Sequence, residues 1–159
     1  MNMINPKELC EFLVKAKRST YAAGDAAKKN IENDKSTTMT FEDGDWKYHD
    51  NYFGGEPYGG REVVFFQNLP VYMMVYYGWV NKGVVDVDPV YKTLQGALTL
   101  IPEDKPFRGP EKYSRDGMEY INVCEGEIDN FFGEEIIKFE DGQEIYKAKY
   151  IGGLIDQKK

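Results

Sequence analysis

Histidine is almost missing from this chain. Its 159 residues include one, His49, and two cysteines, Cys10 and Cys124. One imidazole and two distant thiols are not the clustered ligands of a conventional zinc site, so no metal is expected. Both cysteines sit among apolar neighbours and read as core thiols. A Cys-His pair would require the fold to bring one of them to His49, and neither lies in a recognisable nucleophile motif. Positive charge is also short: 20 Lys and Arg against 27 Asp and Glu leave a net charge of −7. The basic clusters, "KAKR" at 15–18 and "KK" at 28–29, are brief. A binder of phosphate backbones or anionic lipid normally presents a basic face, so neither nucleic acid nor membrane is an expected partner. No apolar run approaches the roughly twenty residues that span a bilayer, and "NMINPKE" after Met1 lacks a signal peptide's apolar centre. The expectation is a cytoplasmic protein. No nucleotide-binding glycine motif occurs, and no cofactor is expected.

What is present is core-forming material. Hydrophobic residues make up 42% and aromatics 14% of the chain, which predicts one folded domain over residues 1–159. "NPKELCEFLVKAKRSTYAAG" predicts an N-terminal helix: Asn5 can cap it, Pro6 suits its first position, Glu8 stands three after the cap, and Leu9, Phe12, Leu13 and Ala16 share a face. Residues 25–38, charged and without period, read as a mobile surface loop, and "YAAGDAA" before them could bend at Gly24 as a lid. From Thr38 the rhythm is that of strands. "TMTFEDGDWKYHDNYF" reads as a hairpin around Asp43-Gly44. "REVVFFQ" and "PVYMMVYYG", joined by a turn around Asn68-Leu69-Pro70, are apolar on both faces and read as a buried sheet centre. A second helix, "DPVYKTLQGALTLIP", carries the stripe Val90, Leu94, Ala97, Leu98 and Ile101. An irregular connection, "EDKPFRGPEKYS", leads to "GMEYINVCEG", "EIDNFF", "EEIIKFE" and "EIYKAKYIGG". The predicted fold class is α+β: a mostly antiparallel, twisted or barrel-like sheet of about seven to eight strands, with an N-terminal and a central helix packed on it.

A repeat runs through this order. "FEDGDWKYHDNYFGG" (41–55) and "FEDGQEIYKAKYIGG" (139–153) align without a gap. Duplication of a hairpin and convergence on the same turn chemistry both explain it. Gly54, Gly55, Gly152 and Gly153 then mark sharp turns or places where something approaches the backbone.

The densest stretch is "NYFGGEPYGGRE" (51–62). Its glycines, Gly54, Gly55, Gly59 and Gly60, lack the order of a phosphate loop, and it reads as a corner between a hairpin and the central strand. Its polar residues are the candidates for function. Asp50 and Tyr52 share the strand face of Trp46 and Tyr48, while Glu62 alternates with Val64 and Phe66 and so points inward. A buried carboxylate needs a donor or a proton, and Arg61, Arg108 and tyrosine hydroxyls are the candidate donors. The bland alternative is that Asp50 and Glu62 only make salt bridges or bind turn amides. His49 alternates away from the Tyr48 face and should be exposed.

The runs "ELCEFLVKAKRSTYA", "YHDNYFGGEPYGGREVVFFQNLPVYMMVYYG", "PFRGP" and "YIGGLI" resemble DUF5680, a prokaryotic domain family of unknown function. Members often form the C-terminal part of regulators with an XRE-type helix-turn-helix. The resemblance implies a compact α+β domain that senses a ligand or mediates assembly, and it supplies no catalytic residue. No helix-turn-helix precedes Glu8 here, so the expectation is a ligand binder, a partner in trans or an enzyme.

The favoured reading is a small-molecule-binding module whose aromatic cleft is lined by Tyr48, Asp50, Tyr52, Glu62, Tyr76 and Arg108, with the four glycines of 54–60 shaping its rim. An alternative is a hydrolase or isomerase with Glu62 or Asp50 as base and Arg108 stabilising an anion. A further alternative is an interaction module that forms a homodimer or binds a partner protein through a sheet edge or aromatic patch.

Overall fold

The computed structural model describes residues 4–157; the ends of the expected 1–159 domain, residues 1–3 and 158–159, lie outside them. Helix α1 (Pro6–Ser19) begins as its signals predict. Asn5 Oδ1 accepts from the Lys7 N–H at 3.0 Å, and Pro6 takes the first turn, where a missing N–H loses nothing. Leu9, Phe12, Leu13 and Ala16 are all buried, and Lys17 is buried on the same side. A 3-10 turn (Tyr21–Ala26) follows and bends at Gly24, whose φ is +61°. It reaches helix α2 (Asp88–Leu98), where a Cβ on Gly24 would meet the Gln95 side chain at 3.4 Å. The predicted α2 stripe from Val90 to Ile101 is buried throughout, although the helix ends at Leu98.

The sheet has nine strands: β1 (Asn30–Ile31), β2 (Thr37–Asp43), β3 (Trp46–Gly54), β4 (Tyr58–Phe66), β5 (Leu69–Val80), β6 (Lys112–Arg115), β7 (Met118–Glu127), β8 (Asn130–Phe139) and β9 (Glu144–Leu154). Their order is β1-β2-β3-β4-β5-β9-β8-β7-β6, and every neighbouring pair is antiparallel. Two meanders therefore meet at β5 and β9, and α2 lies in the connection from the centre to the far edge. The sheet is open, with β1 and β6 as its edges, so it is not a barrel. The expected count of seven to eight is low because both edge strands are short and polar. β1 lies inside 25–38 and β6 begins inside the connection 103–114, where there was no alternation to read. Conversely, "EIDNFF" is not a strand of its own: Ile128-Asp129 is the turn between β7 and β8.

Two further details differ from expectation. The β4–β5 turn sits at Gln67-Asn68, both with positive φ, and Leu69-Pro70 already belong to β5. That is the geometry of a two-residue type I′ hairpin. The sheet centre is also not buried on both faces. Both helices cover one face, where Val64, Tyr72, Met74 and Tyr76 are buried, while Val75 and Tyr77 of β5 stand exposed on the other. The two FEDG hairpins do not hold matching places: β9 is central and β3 lies two strands out from β5. This fits shared turn chemistry, with Gly44 and Gly142 both at positive φ.

Candidate functional site

On the covered face, between α1, the 3-10 turn, α2 and strands β3 to β5, lies a cavity of about 180 Å³. Tyr48, Asp50, Tyr52, Glu62, Tyr76 and Arg108 all line it, as do Gly54 and Gly55. The register explains the convergence: Asp50 stands directly opposite Glu62, and Tyr52 opposite Gly60. Gly60 is required there, because a Cβ would lie 2.5 Å from both the Asn51 carbonyl oxygen and the Tyr52 Cβ. "NYFGGEPYGGRE" is thus a β3–β4 hairpin, and its turn, from Gly55 to Pro57, stands at one side of the cavity. Gly59, Gly60, Gly152 and Gly153 lie within strands and do not line the cavity. At Gly152 it is the neighbouring strand that comes close, 2.4 Å from Met73 O to an added Cβ. His49 and both cysteines lie away from the cavity lining.

The inner end is charged. Asp50 is 2% exposed and Glu62 4%. The partner of Glu62 is neither Arg61, which points to the open face, nor Arg108. It is Lys17, whose Nζ lies 2.9 Å from Glu62 Oε2 and donates to the Phe107 carbonyl at 2.6 Å. Lys17 is thus the counter-charge that satisfies Glu62 Oε2, while among the described residues the Tyr48 hydroxyl has no hydrogen bond of good geometry; burial first and the charge of Glu62 second push its phenol up. Tyr76 donates to Asp50 Oδ1 at 2.5 Å. Burial, reinforced by the charge of Glu62, pushes the Asp50 carboxyl up to about 7. Burial also lowers the Lys17 ammonium, against the pull of Glu62.

Arg108 belongs to a second network. Its Nε donates to Glu135 Oε1 at 2.9 Å, its Nη2 forms an ion pair with the same oxygen at 2.7 Å, and Glu135 is 0% exposed. Glu135 also accepts from the hydroxyls of Tyr120 and Tyr146, and Arg108 Nη2 donates to Tyr58 Oη at 3.2 Å. The guanidinium lies 5.5 Å from the Tyr76 ring centroid and 6.0 Å from that of Tyr21. "PFRGP" is therefore a strut. Phe107 stacks on Phe131 at 3.7 Å, Arg108 is held by Glu135, Gly109 N–H donates to Tyr120, and Asn122 donates to the Gly109 carbonyl.

The remaining wall comes from Tyr21, Tyr58, Tyr91, Gln95, Leu98 and Phe107. Tyr91 donates to Glu56 in the β3–β4 turn, tying α2 to that side of the opening. Lys17 and Glu135 are the functional candidates that sequence reasoning missed. Each had a signal: Lys17 is four after Leu13 on the apolar stripe, and Glu135 is in phase with Ile137 on its strand. Among the described residues no group of three or more His, Cys, Asp and Glu could hold a metal ion, and no helix is long and apolar enough to cross a membrane.

No curated protein and no solved structure matches this chain. A family model does. It covers Asp50, Tyr52, Glu62, Tyr76, Arg108 and Glu135 and leaves out Lys17 and Tyr48, and by its match over residues 50–155 the chain belongs to the domain-of-unknown-function family DUF5680.

Proposed function

We propose that this protein is a small-molecule-binding module. The observation that carries the reading is polar capacity left open inside a tyrosine-lined cavity: among the described residues the buried Tyr48 hydroxyl has no hydrogen-bond partner, and of the two buried carboxylates beside it, Asp50 and Glu62, only Glu62 has a salt-bridge partner. A buried polar atom left unpaired costs about 1–3 kcal/mol, which a ligand would recover. The volume of about 180 Å³ lies below the roughly 300 Å³ at which pockets for drug-sized ligands begin, so the occupant is a small metabolite. The same walls suit an acid–base enzyme less well. Asp50 and Glu62 could exchange a proton, but the charge of Arg108 is already held by Glu135, leaving it poorly placed to stabilise a developing anion.

The test is a thermal-shift screen against a metabolite library with wild type, Glu62→Gln and Tyr48→Phe. Tyr48→Phe removes only an unpaired hydroxyl, so the free variant should melt at or slightly above wild type. A ligand that raises the wild-type midpoint and loses at least half of that shift in Tyr48→Phe supports the reading. A library without a hit, together with Tyr48→Phe melting well below wild type, rejects it.

A specific observation also favours self-association. On the uncovered face, register aligns Arg61, Val75, Ile151, Phe132 and Glu125 in one row across five strands, all exposed. Phe53, Tyr77 and Val123 extend the apolar area. A second copy turned about an axis through Ile151 would set the Arg61 end of one row on the Glu125 end of the other, as a two-fold interface requires. Wild type is expected to sediment as a dimer at tens of micromolar and Ile151→Lys as a monomer; wild type that stays monomeric removes this reading.

A further inference from the structure

We propose that the ligand of the cavity is a small organic cation, an ammonium group on a compact apolar body, bound by Glu62, Asp50 and Tyr48 at the inner end with its body against the tyrosine wall. This rests on the binding reading above and names the class of ligand. Three buried carboxylates, Asp50, Glu62 and Glu135, face two buried cations, Lys17 and Arg108. The cations are committed: Arg108 to Glu135 and Tyr58, Lys17 to Phe107 O and Glu62. Among the described residues the unmatched carboxylate is Asp50, which accepts from the Tyr76 hydroxyl and has no salt bridge, and the Tyr48 hydroxyl near it has no hydrogen-bond partner. A ligand that satisfies them must bring donors and one positive charge. An anion would add a further negative charge to three buried carboxylates whose two counter-cations are already committed, and a buried unpaired charge is costly.

The walls agree. The faces of Tyr21 and Tyr76 already flank the Arg108 guanidinium, while Tyr52, Tyr58 and Tyr91 remain as aromatic surface for a cation or its apolar body. A net charge of −7 raises the local concentration of cations.

Proton balance follows from the charge count. Asp50 is faced by Tyr48 on its own strand, Glu62 from β4, Tyr76 from β5, Lys17 from α1 and Arg108 from the connection after α2; the 3-10 turn and α2 present Tyr21, Tyr91 and Gln95, none of them charged. In the free protein below about pH 7 the odd carboxyl, Asp50, holds a proton. An incoming ammonium replaces it: the carboxylic acid and the cation give a carboxylate–ammonium pair, and one proton leaves to solvent. Affinity should therefore rise with pH, by about 100-fold from pH 5 to pH 8, as Asp50 is released from its proton.

The experiment is calorimetric titration with benzylamine, butylamine, benzyl alcohol and benzoate at pH 5, 6 and 8, in buffers of different ionisation heat. Expected are an amine at least ten times tighter than the alcohol and the benzoate at pH 8, release of close to one proton at pH 6, and a flat pH profile in Asp50→Asn. The selectivity and proton release are read on wild type and do not depend on how well the variant folds. Benzoate or alcohol equalling the amines, amine binding without proton release, or no binding by any of the four would each overturn the cation. A library ligand of another class that is lost in Tyr48→Phe would then leave the cavity reading standing without it.

Discussion

Replacing Arg108 by methionine should lower the unfolding free energy by about 3–5 kcal/mol, because it strands the Glu135 carboxylate in the core without its counter-charge. Glu135 is fully buried on β8, and the two nitrogens of Arg108 are its only cationic contacts among the described residues. The hydroxyls of Tyr120 and Tyr146 would remain, yet two neutral donors do not replace a guanidinium. For a chain of this size the loss corresponds to a fall in melting midpoint of roughly 6–20 °C. The double variant Arg108→Met/Glu135→Gln removes both charges together and should recover at least about 2 kcal/mol of the loss, since a buried pair replaced as a unit is far less costly than one broken. Denaturant unfolding of the two single variants and the double measures the coupling. Arg108→Met within about 1 kcal/mol of wild type would mean that water or a shifted strut satisfies Glu135.

This network shows where sequence reading reached and where it stopped. Asp50 and Glu62 were legible because strand alternation places each side chain on a face, and an acid in phase with Tyr48 or Val64 has to point inward. Who neutralises them was not legible, since partners come from tertiary placement. Arg61 is next to Glu62 in the chain, yet adjacency on a strand means opposite faces, and the ion pair goes to Lys17 on a helix that crosses the sheet. Lys17 sits within a short basic run and reads as solvated until its spacing from Leu9 and Leu13 is followed. The strands β1 and β6 were missed for another reason: at two and four residues, a polar edge strand has no periodicity to show. The exposed face of β5 was misjudged because "PVYMMVYYG" is apolar at every position. Such a run identifies a central strand without saying whether anything covers its second face.

Asp50→Asn should turn a pH-dependent stability difference into the clearest signature of the inner end. The Asp50 carboxyl is raised to about 7 in the fold, from an ordinary value of 3.8, by burial first and by the neighbouring Glu62 second. Folding therefore takes up a proton between those values. The stability that the protonated group contributes is fully present below about pH 4 and is lost as pH rises through about 7. Across that window the loss approaches about 1.4 kcal/mol per pH unit, a ceiling near 4 kcal/mol in total. Asparagine has the shape of the protonated acid and no charge to acquire; its carbonyl can keep the bond from Tyr76, and its amide can donate towards Glu62. The stability of wild type minus that of the variant should fall steadily from pH 4 to pH 7 and level off above it, with Asp50→Asn the more stable protein at pH 8. Urea unfolding at unit intervals from pH 4 to pH 9 measures this difference directly. A difference that stays constant with pH would show that Asp50 is already ionised in the fold, its charge met by Lys17 and Arg108 together, and the inner end would then be a closed salt-bridge cluster with no room for a ligand's charge.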